Sequence, residues 1–215
     1  MKRFALSLPI TAAFLFMTAS PAPSQTLTKI YVSEAGIVLG AIFLFDPGLP
    51  AVAFVNGGGV LVWINVEIPG AIVEIHTNGT VQLVERTSPG NIAYADGRIR
   101  RIGEAAFEYE DGRIRRIGNL KMDYWLWRIR QIGDLPIVIE DGFLRELGGV
   151  RFEYENARLR KIDDLLFTYE TGRVVRIGDV RFEYDTGTLK KVTGTLPGVA
   201  IQISSIVEFR QPFRR

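Results

Sequence analysis

The chain has 215 residues, 47% of them hydrophobic, with 26 basic and 24 acidic side chains, 1 histidine and no cysteine. This apolar content supports a real core in one domain or two small ones, and without cysteine neither a disulfide nor a thiol-linked lipid is available. Near-neutrality removes the electrostatic case for nucleic acid, and the excess positive charge is accounted for by Lys2 and Arg3 at the extreme N-terminus.

Those two residues precede the mostly apolar Phe4–Ala19, and Ala22-Pro23-Ser24 places small residues at the −3 and −1 positions of a cleavage before Gln25. Residues 1–24 therefore read as a secretory signal peptide. The apolar stretch is shorter than the ~20 residues that span a bilayer, and Pro9 interrupts it. The expected mature chain is exported to the periplasm or beyond a bacterial cell, with no transmembrane span.

From Gln25 to about residue 90 the sequence is rich in Val, Ile, Gly and Phe. The runs Lys29–Val32, Gly36–Phe45, Ala51–Val55, Val60–Val66, Ala71–His76 and Thr80–Glu85 are separated by Asp46-Pro47-Gly48, Asn56-Gly57-Gly58-Gly59, Pro69-Gly70 and Asn78-Gly79. Such runs predict strands. Asn78-Gly79 predicts a hairpin with a type I′ turn, whose two central positions both need positive φ.

Residues 91–195 are seven uninterrupted blocks of fifteen residues, as in AFEYEDGRIRRIGNL (Ala106–Leu120) and RFEYENARLRKIDDL (Arg151–Leu165). A fixed period marks a repeat architecture. Column 2 is Ile92, Phe107, Met122, Ile137, Phe152, Phe167 and Phe182; column 4 is tyrosine in every block except at Ile139; columns 9 and 12 are always aliphatic, and column 15 usually is. The central Asp-Gly predicts a two-residue turn, so each block is expected to form a β-hairpin. Counting outward from Asp111-Gly112 sets Glu110 opposite Arg113, Tyr109 opposite Ile114 and Glu108 opposite Arg115. Alternation then puts Phe107, Tyr109 and Ile114 on one face and Glu–Arg pairs on the other. Ile117 lies three residues beyond Ile114, so a β-bulge at Arg115-Arg116 is needed to return it to the apolar face.

The expected fold is all-β: an antiparallel meander of seven hairpin repeats, either curled on its apolar face or packed on the apolar N-terminal segment 25–90. Residues 196–215 are expected to add a last strand, Val199–Phe209, and a basic tail. Strands of about five residues are half the length that crosses an outer membrane.

Tyr154-Glu155-Asn156-Ala157-Arg158-Leu159 and Tyr109-Glu110-Asp111-Gly112-Arg113-Ile114 resemble the core of bacterial MORN-type repeats, and Tyr184-Asp185-Thr186-Gly187 resembles the YD element of Rhs-type repeats. The resemblance implies extended antiparallel sheets built from short hairpins, with no catalysis by the repeat itself.

Few residues invite chemistry. His76 sits alone on an alternating strand. No nucleophile elbow is present, and Gly57-Gly58-Gly59 lacks the Lys-Ser/Thr and helix of a phosphate loop. The carboxylates stand opposite arginines and read as a solvated face; a hydrolase using them is the least favoured reading. No enzyme activity, metal or cofactor is expected. The informative departure is in the third and fourth repeats. Trp125-Leu126-Trp127 replaces the turn sequence of the third, and Val138 and Phe143 replace an acidic and a basic residue in the fourth. Trp125, Trp127, Val138 and Phe143 are the candidate binding residues, an apolar patch suited to a sugar ring, a peptide or another protein partner. The expected function is a non-catalytic binding or structural module of a bacterial envelope, in which sheet edges also permit self-association.

Overall fold

The N-terminal runs become strands because β-branched and aromatic residues fill a pleated, half-buried surface between turns that reverse the chain. The computed structural model describes residues 25–46, 48–88 and 91–204; the predicted leader lies outside them. β1 (Thr26–Val32), β2 (Val38–Phe45), β3 (Ala51–Asn56), β4 (Leu61–Ile68), β5 (Ala71–His76) and β6 (Val81–Arg86) pair antiparallel in chain order. Fourteen short strands follow, from β7 (Ile92–Ala95) to β20 (Thr188–Thr193), and form a second antiparallel meander. β21 (Ala200–Ile203) then returns to the first sheet and pairs parallel with β1 at its edge. This is the described part of the expected Val199–Phe209 strand; the rest lies outside the described residues. No helix occurs among the described residues. The end strands β7 and β20 do not pair with each other, so the long sheet is not a closed barrel.

The apolar face of the repeats is covered by the N-terminal sheet. Columns 2, 9, 12 and 15 supply Phe107, Ile114, Ile117 and Leu120 in the second repeat, and these share one core with Ile30, Phe43, Val55, Ile64 and Ile75. Phe43 meets Phe152 edge-on, with ring centroids 5.3 Å apart. The other face of the small sheet carries a second apolar cluster of Tyr31, Ile42, Val52, Phe54 and Trp63.

Each repeat is a bulged hairpin. Asp111 and Gly112 both have positive φ, at 50° and 82°, as a type I′ turn requires. The bulge recurs at the same place in all seven hairpins. It shifts the pairing expected for Glu108, which stands opposite Arg116, because Arg115 is the extra residue. Arg115 instead reaches Glu110 at 2.7 Å, and Arg116 lies 3.3 Å from Glu108. These exposed pairs are each worth at most about 1 kcal/mol, so they tune register and solubility while the apolar columns decide the fold.

Within a hairpin the ladder holds four residue pairs, or five in the last, but neighbouring hairpins are joined by only two, such as Arg116↔Lys121 and Ile117↔Leu120. The hairpins therefore splay at their turn ends and leave wedges between them. The column 9 N–H and C=O groups point into these wedges and need partners. Three turns of the small sheet accept from five of the N–H groups. Ile114 and Ile129 donate their N–H groups to the carbonyls of Gly79 and Thr77, Leu144 to Gly59, and Val174 and Leu189 to Gly36 and Glu34. All three turns share one form. In the third, the His76 N–H donates to the Thr80 carbonyl and the Gly79 N–H to the His76 carbonyl, with Gly79 at φ 86°. Asn78 is not at positive φ, so this hairpin has a three-residue loop closed by a glycine bulge and not the expected type I′ turn. The turns settle over alternate repeats, with Gly36, Gly59 and Gly79 against Tyr184, Tyr154 and Tyr124.

Column 4 tyrosines fill the wedges from the other side. Tyr169 donates its hydroxyl to the Leu159 carbonyl at 2.8 Å, and Tyr184 to the Val174 carbonyl at 2.7 Å. An arginine of the preceding repeat lies over the ring: Arg100 over Tyr109, Arg115 over Tyr124, Arg145 over Tyr154 and Arg158 over Tyr169. Burial pushes the Tyr169 phenol up to about 12, against the opposing pull of Arg158. Burial raises Tyr109, Tyr124, Tyr154 and Tyr184 as well. The unfolded chain releases these protons near the ordinary value of 10.0, while the folded chain keeps them. Stability is therefore fully present below about pH 10 and falls as pH rises toward and through about 12. Urea midpoints that decline over this window, with phenolate absorbance rising cooperatively on unfolding, are the expected result.

Candidate functional site

The wedge between the third and fourth hairpins differs from the others. It lies between β12 (Arg128–Ile132) and β13 (Leu135–Glu140), next to the turn that follows β11 (Leu120–Trp125). Its walls are Trp125, Leu126, Trp127, Arg128 and Ile129 on one side and Ile137, Val138, Ile139, Asp141 and Gly142 on the other, around an open groove of about 610 Å³. Thirty residues further along, the wedge between the fifth and sixth hairpins holds the corresponding groove, of about 440 Å³. There the matching positions are Glu155, Asn156, Thr168 and Tyr169, where the first groove has Trp125, Leu126, Val138 and Ile139. One structural feature thus occurs twice, once polar, smaller and narrowed by a tyrosine, once apolar, larger and without one.

Three local changes produce the apolar version. Ile139 is the only column 4 residue that is not tyrosine, so no phenol reaches the Ile129 carbonyl as Tyr169 reaches that of Leu159. The column 8 arginine also behaves differently. Arg98 and Arg158 reach across their wedges to within 3.2 Å of a Cβ placed on Gly112 and Gly172, whereas nothing lies within 4 Å of the equivalent point on Gly142. Arg128 therefore does not bridge its wedge, which has no tyrosine ring to lie over. Finally, Trp125 stands opposite Arg128 in the ladder, where Arg158 faces Glu155 and Arg113 faces Glu110.

The loss of that acidic column also redirects Arg130. Arg145 and Arg160 pair with Glu140 and Glu155, but Arg130 binds Asp123 at 2.6 and 2.7 Å through two nitrogens. The Arg130 hydrogen bond holds the Asp123 carboxyl below the usual carboxylate range. This fork fixes one end of the groove.

The turn carrying the indoles is strained. Leu126 has φ 57°, a left-handed position that the other hairpin turns give to Asp, Asn or Thr. A side chain in this region costs roughly 1–2 kcal/mol, and the Arg113 guanidinium clamps the turn by donating to the Leu126 carbonyl at 2.7 Å. Trp125 and Trp127 are 67% and 58% exposed, and Leu126 is 61% exposed. Large apolar side chains held out in water by a strained, clamped turn are a feature of interaction sites.

No protein-family model matches this chain, and neither a curated protein nor a solved structure matches it.

Of the four residues expected to form the patch, Trp125, Trp127 and Val138 line the groove and Phe143 does not. Phe143 turns toward the next wedge, 5.2 Å from the Tyr154 ring and under the Arg145 guanidinium, where the Gly59 turn also docks. Sequence reading missed Ile139, Arg128 and Leu126. Ile139 carried a signal, the single interruption of the tyrosine column. His76 ends β5, with Nε2 3.1 Å from Glu74 Oε1. No cluster of metal-ligating side chains is found among the described residues.

Proposed function

We propose that this protein is a non-catalytic, exported β-repeat binding module of a bacterial envelope, and that the groove between its third and fourth hairpins is the recognition site. The observation that carries this reading is the internal comparison of the two grooves. The same wedge is smaller, polar and narrowed by a tyrosine at the fifth and sixth repeats, and larger, apolar and aromatic at the third and fourth. Packing does not call for the difference, since Trp125, Leu126 and Trp127 all face water. Ligands presenting a flat ring to the indoles, whether sugars or aromatic peptides, suit the site. The non-catalytic part of the reading is supported by the carboxylates, many of which pair with arginines, as Glu110, Glu140 and Glu155 do. Export is supported by the leader-like residues 1–24.

The test is a panel of envelope glycans and aromatic peptides against the wild type and Trp125→Ala. Loss of a central aromatic anchor costs about 2 kcal/mol or more, so the variant is expected to bind the selected ligand at least about tenfold more weakly. Equal binding by Trp125→Ala and Trp127→Ala would remove the groove from consideration.

A further inference from the structure

The repeats themselves record what a wedge of this kind accommodates. At the fifth and sixth repeats a p-hydroxyphenyl ring lies beneath the Arg158 guanidinium, 5.9 Å from it, with its hydroxyl on the Leu159 carbonyl at 2.8 Å. At the third and fourth repeats both protein partners for such a ring are retained, as Arg128 and the Ile129 backbone, but the ring is not. The Ile129 N–H is held by the Thr77 carbonyl. Because N–H and C=O of one strand residue point to the same side, the Ile129 carbonyl is aimed into the groove. Ile139 and Ile129 both line the groove, and an isoleucine is too short to supply the far half of a tyrosine ring or its hydroxyl.

Resting on the reading of this groove as a binding site, we propose that its ligand is a tyrosine side chain of a peptide or protein partner, which replaces in trans the tyrosine missing from column 4. The phenol enters hydroxyl-first and donates to the Ile129 carbonyl. Its ring gives Arg128 the aromatic face that Arg98, Arg100 and Arg158 find on their own tyrosines. Trp125 and Trp127 close over the exposed edge, and Val138 supplies the apolar floor. A sugar also offers hydroxyls and a face for the indoles, but it gives the arginine no π-system. The phenol restores both missing contacts together.

The experiment measures the affinity of the purified protein for N-acetyl-tyrosinamide by ligand-observed NMR and calorimetry. N-acetyl-phenylalaninamide and methyl β-glucopyranoside serve as comparison probes. The tyrosine amide is expected to bind at least about tenfold more tightly than the phenylalanine amide, because the carbonyl is otherwise left without a donor. Ile139→Tyr fills the site from within and is expected to abolish binding. Trp125→Glu, at an exposed position that is glutamate in other repeats, is expected to fold and to lose binding as well, which keeps the test decisive if Ile139→Tyr does not fold. Equal affinity for the tyrosine and phenylalanine amides, or full binding by Trp125→Glu or by folded Ile139→Tyr, would overturn the proposal. Binding of the glucoside with none of the tyrosine amide would overturn it while leaving the groove a binding site. No binding of any probe would overturn the proposal, and the glycan and peptide panel would then decide the reading of the groove on its own.

Discussion

Phe152→Ala is expected to lower the stability of the protein by about 3–5 kcal/mol, the range for deleting a buried phenyl ring from a core that relaxes only partly. Phe152 is a column 2 residue of the fifth repeat, 3% exposed, in edge-on contact with Phe43 of the small sheet. The cavity therefore opens between the two sheets, and both should lose stability together. Urea unfolding followed by tryptophan emission and by circular dichroism checks this. The two probes should give one shared transition, moved to lower urea. By contrast, Glu108→Ala removes only the exposed ion pair to Arg116 and should cost less than about 1 kcal/mol. Independent transitions for the two sheets, or a Phe152→Ala loss below about 1 kcal/mol, would contradict the shared core.

The second large effect is expected at Gly59. Its φ of 81° already penalises any side chain, and an added Cβ would lie 2.5 Å from the Tyr154 ring and 2.9 Å from Phe143. Strain of about 1–3 kcal/mol and a similar cost for overpacking give roughly 2–6 kcal/mol for Gly59→Ala. Gly97 isolates the first contribution, because its φ is 71° but nothing lies within 4 Å of the added atom. Gly97→Ala should therefore cost only the conformational part, about 1–3 kcal/mol. Hydrogen exchange adds a local readout: the Leu144 amide, bonded to the Gly59 carbonyl, should lose protection in Gly59→Ala and keep it in Gly97→Ala. Matching losses in the two variants would mean that the turn does not dock.

Much of this fold is legible in the column pattern. The three-residue spacing from Ile114 to Ile117 demands a bulge if both are to be buried, and both are fully buried. The face on which columns 2 and 9 meet follows from alternation alone, and the bulge returns column 12 to it. What alternation does not fix is which residue the bulge leaves over, and hence whether Glu108 meets Arg115 or Arg116. The Asn78-Gly79 turn departs from type I′ for a related reason. Asn78 Oδ1 accepts from the Thr80 N–H at 3.0 Å, which favours the longer loop, and that loop aims the Gly79 carbonyl at Ile114.

The candidate site was half legible. Trp125, Trp127 and Val138 stand out as breaks in a charged face and line the groove, whereas Phe143, singled out by the same logic, lies toward the next wedge. Its side chain is taken up by Tyr154 of the following repeat, a contact set by how neighbouring hairpins splay and not by any spacing within one repeat. The docking of three glycine turns into the wedges was not legible either, because it depends on the fit of one sheet to another. Ile139 was visible as an exception, yet its meaning required Tyr169 in place on the Leu159 carbonyl to show what an isoleucine withholds.

The most direct test of the binding groove uses the three tryptophans as internal reporters. Trp63 is 5% exposed on the small sheet, while Trp125 and Trp127 flank the groove and are largely exposed. In an ¹⁵N-labelled sample the three indole N–H resonances are assigned by single Trp→Phe substitutions and followed during titration with N-acetyl-tyrosinamide and, separately, with envelope oligosaccharides. The resonances of Trp125 and Trp127 should move together and saturate with at least one of these ligands, while that of Trp63 stays fixed. A ligand that binds measurably yet leaves the Trp125 and Trp127 resonances unmoved would place recognition elsewhere on the molecule.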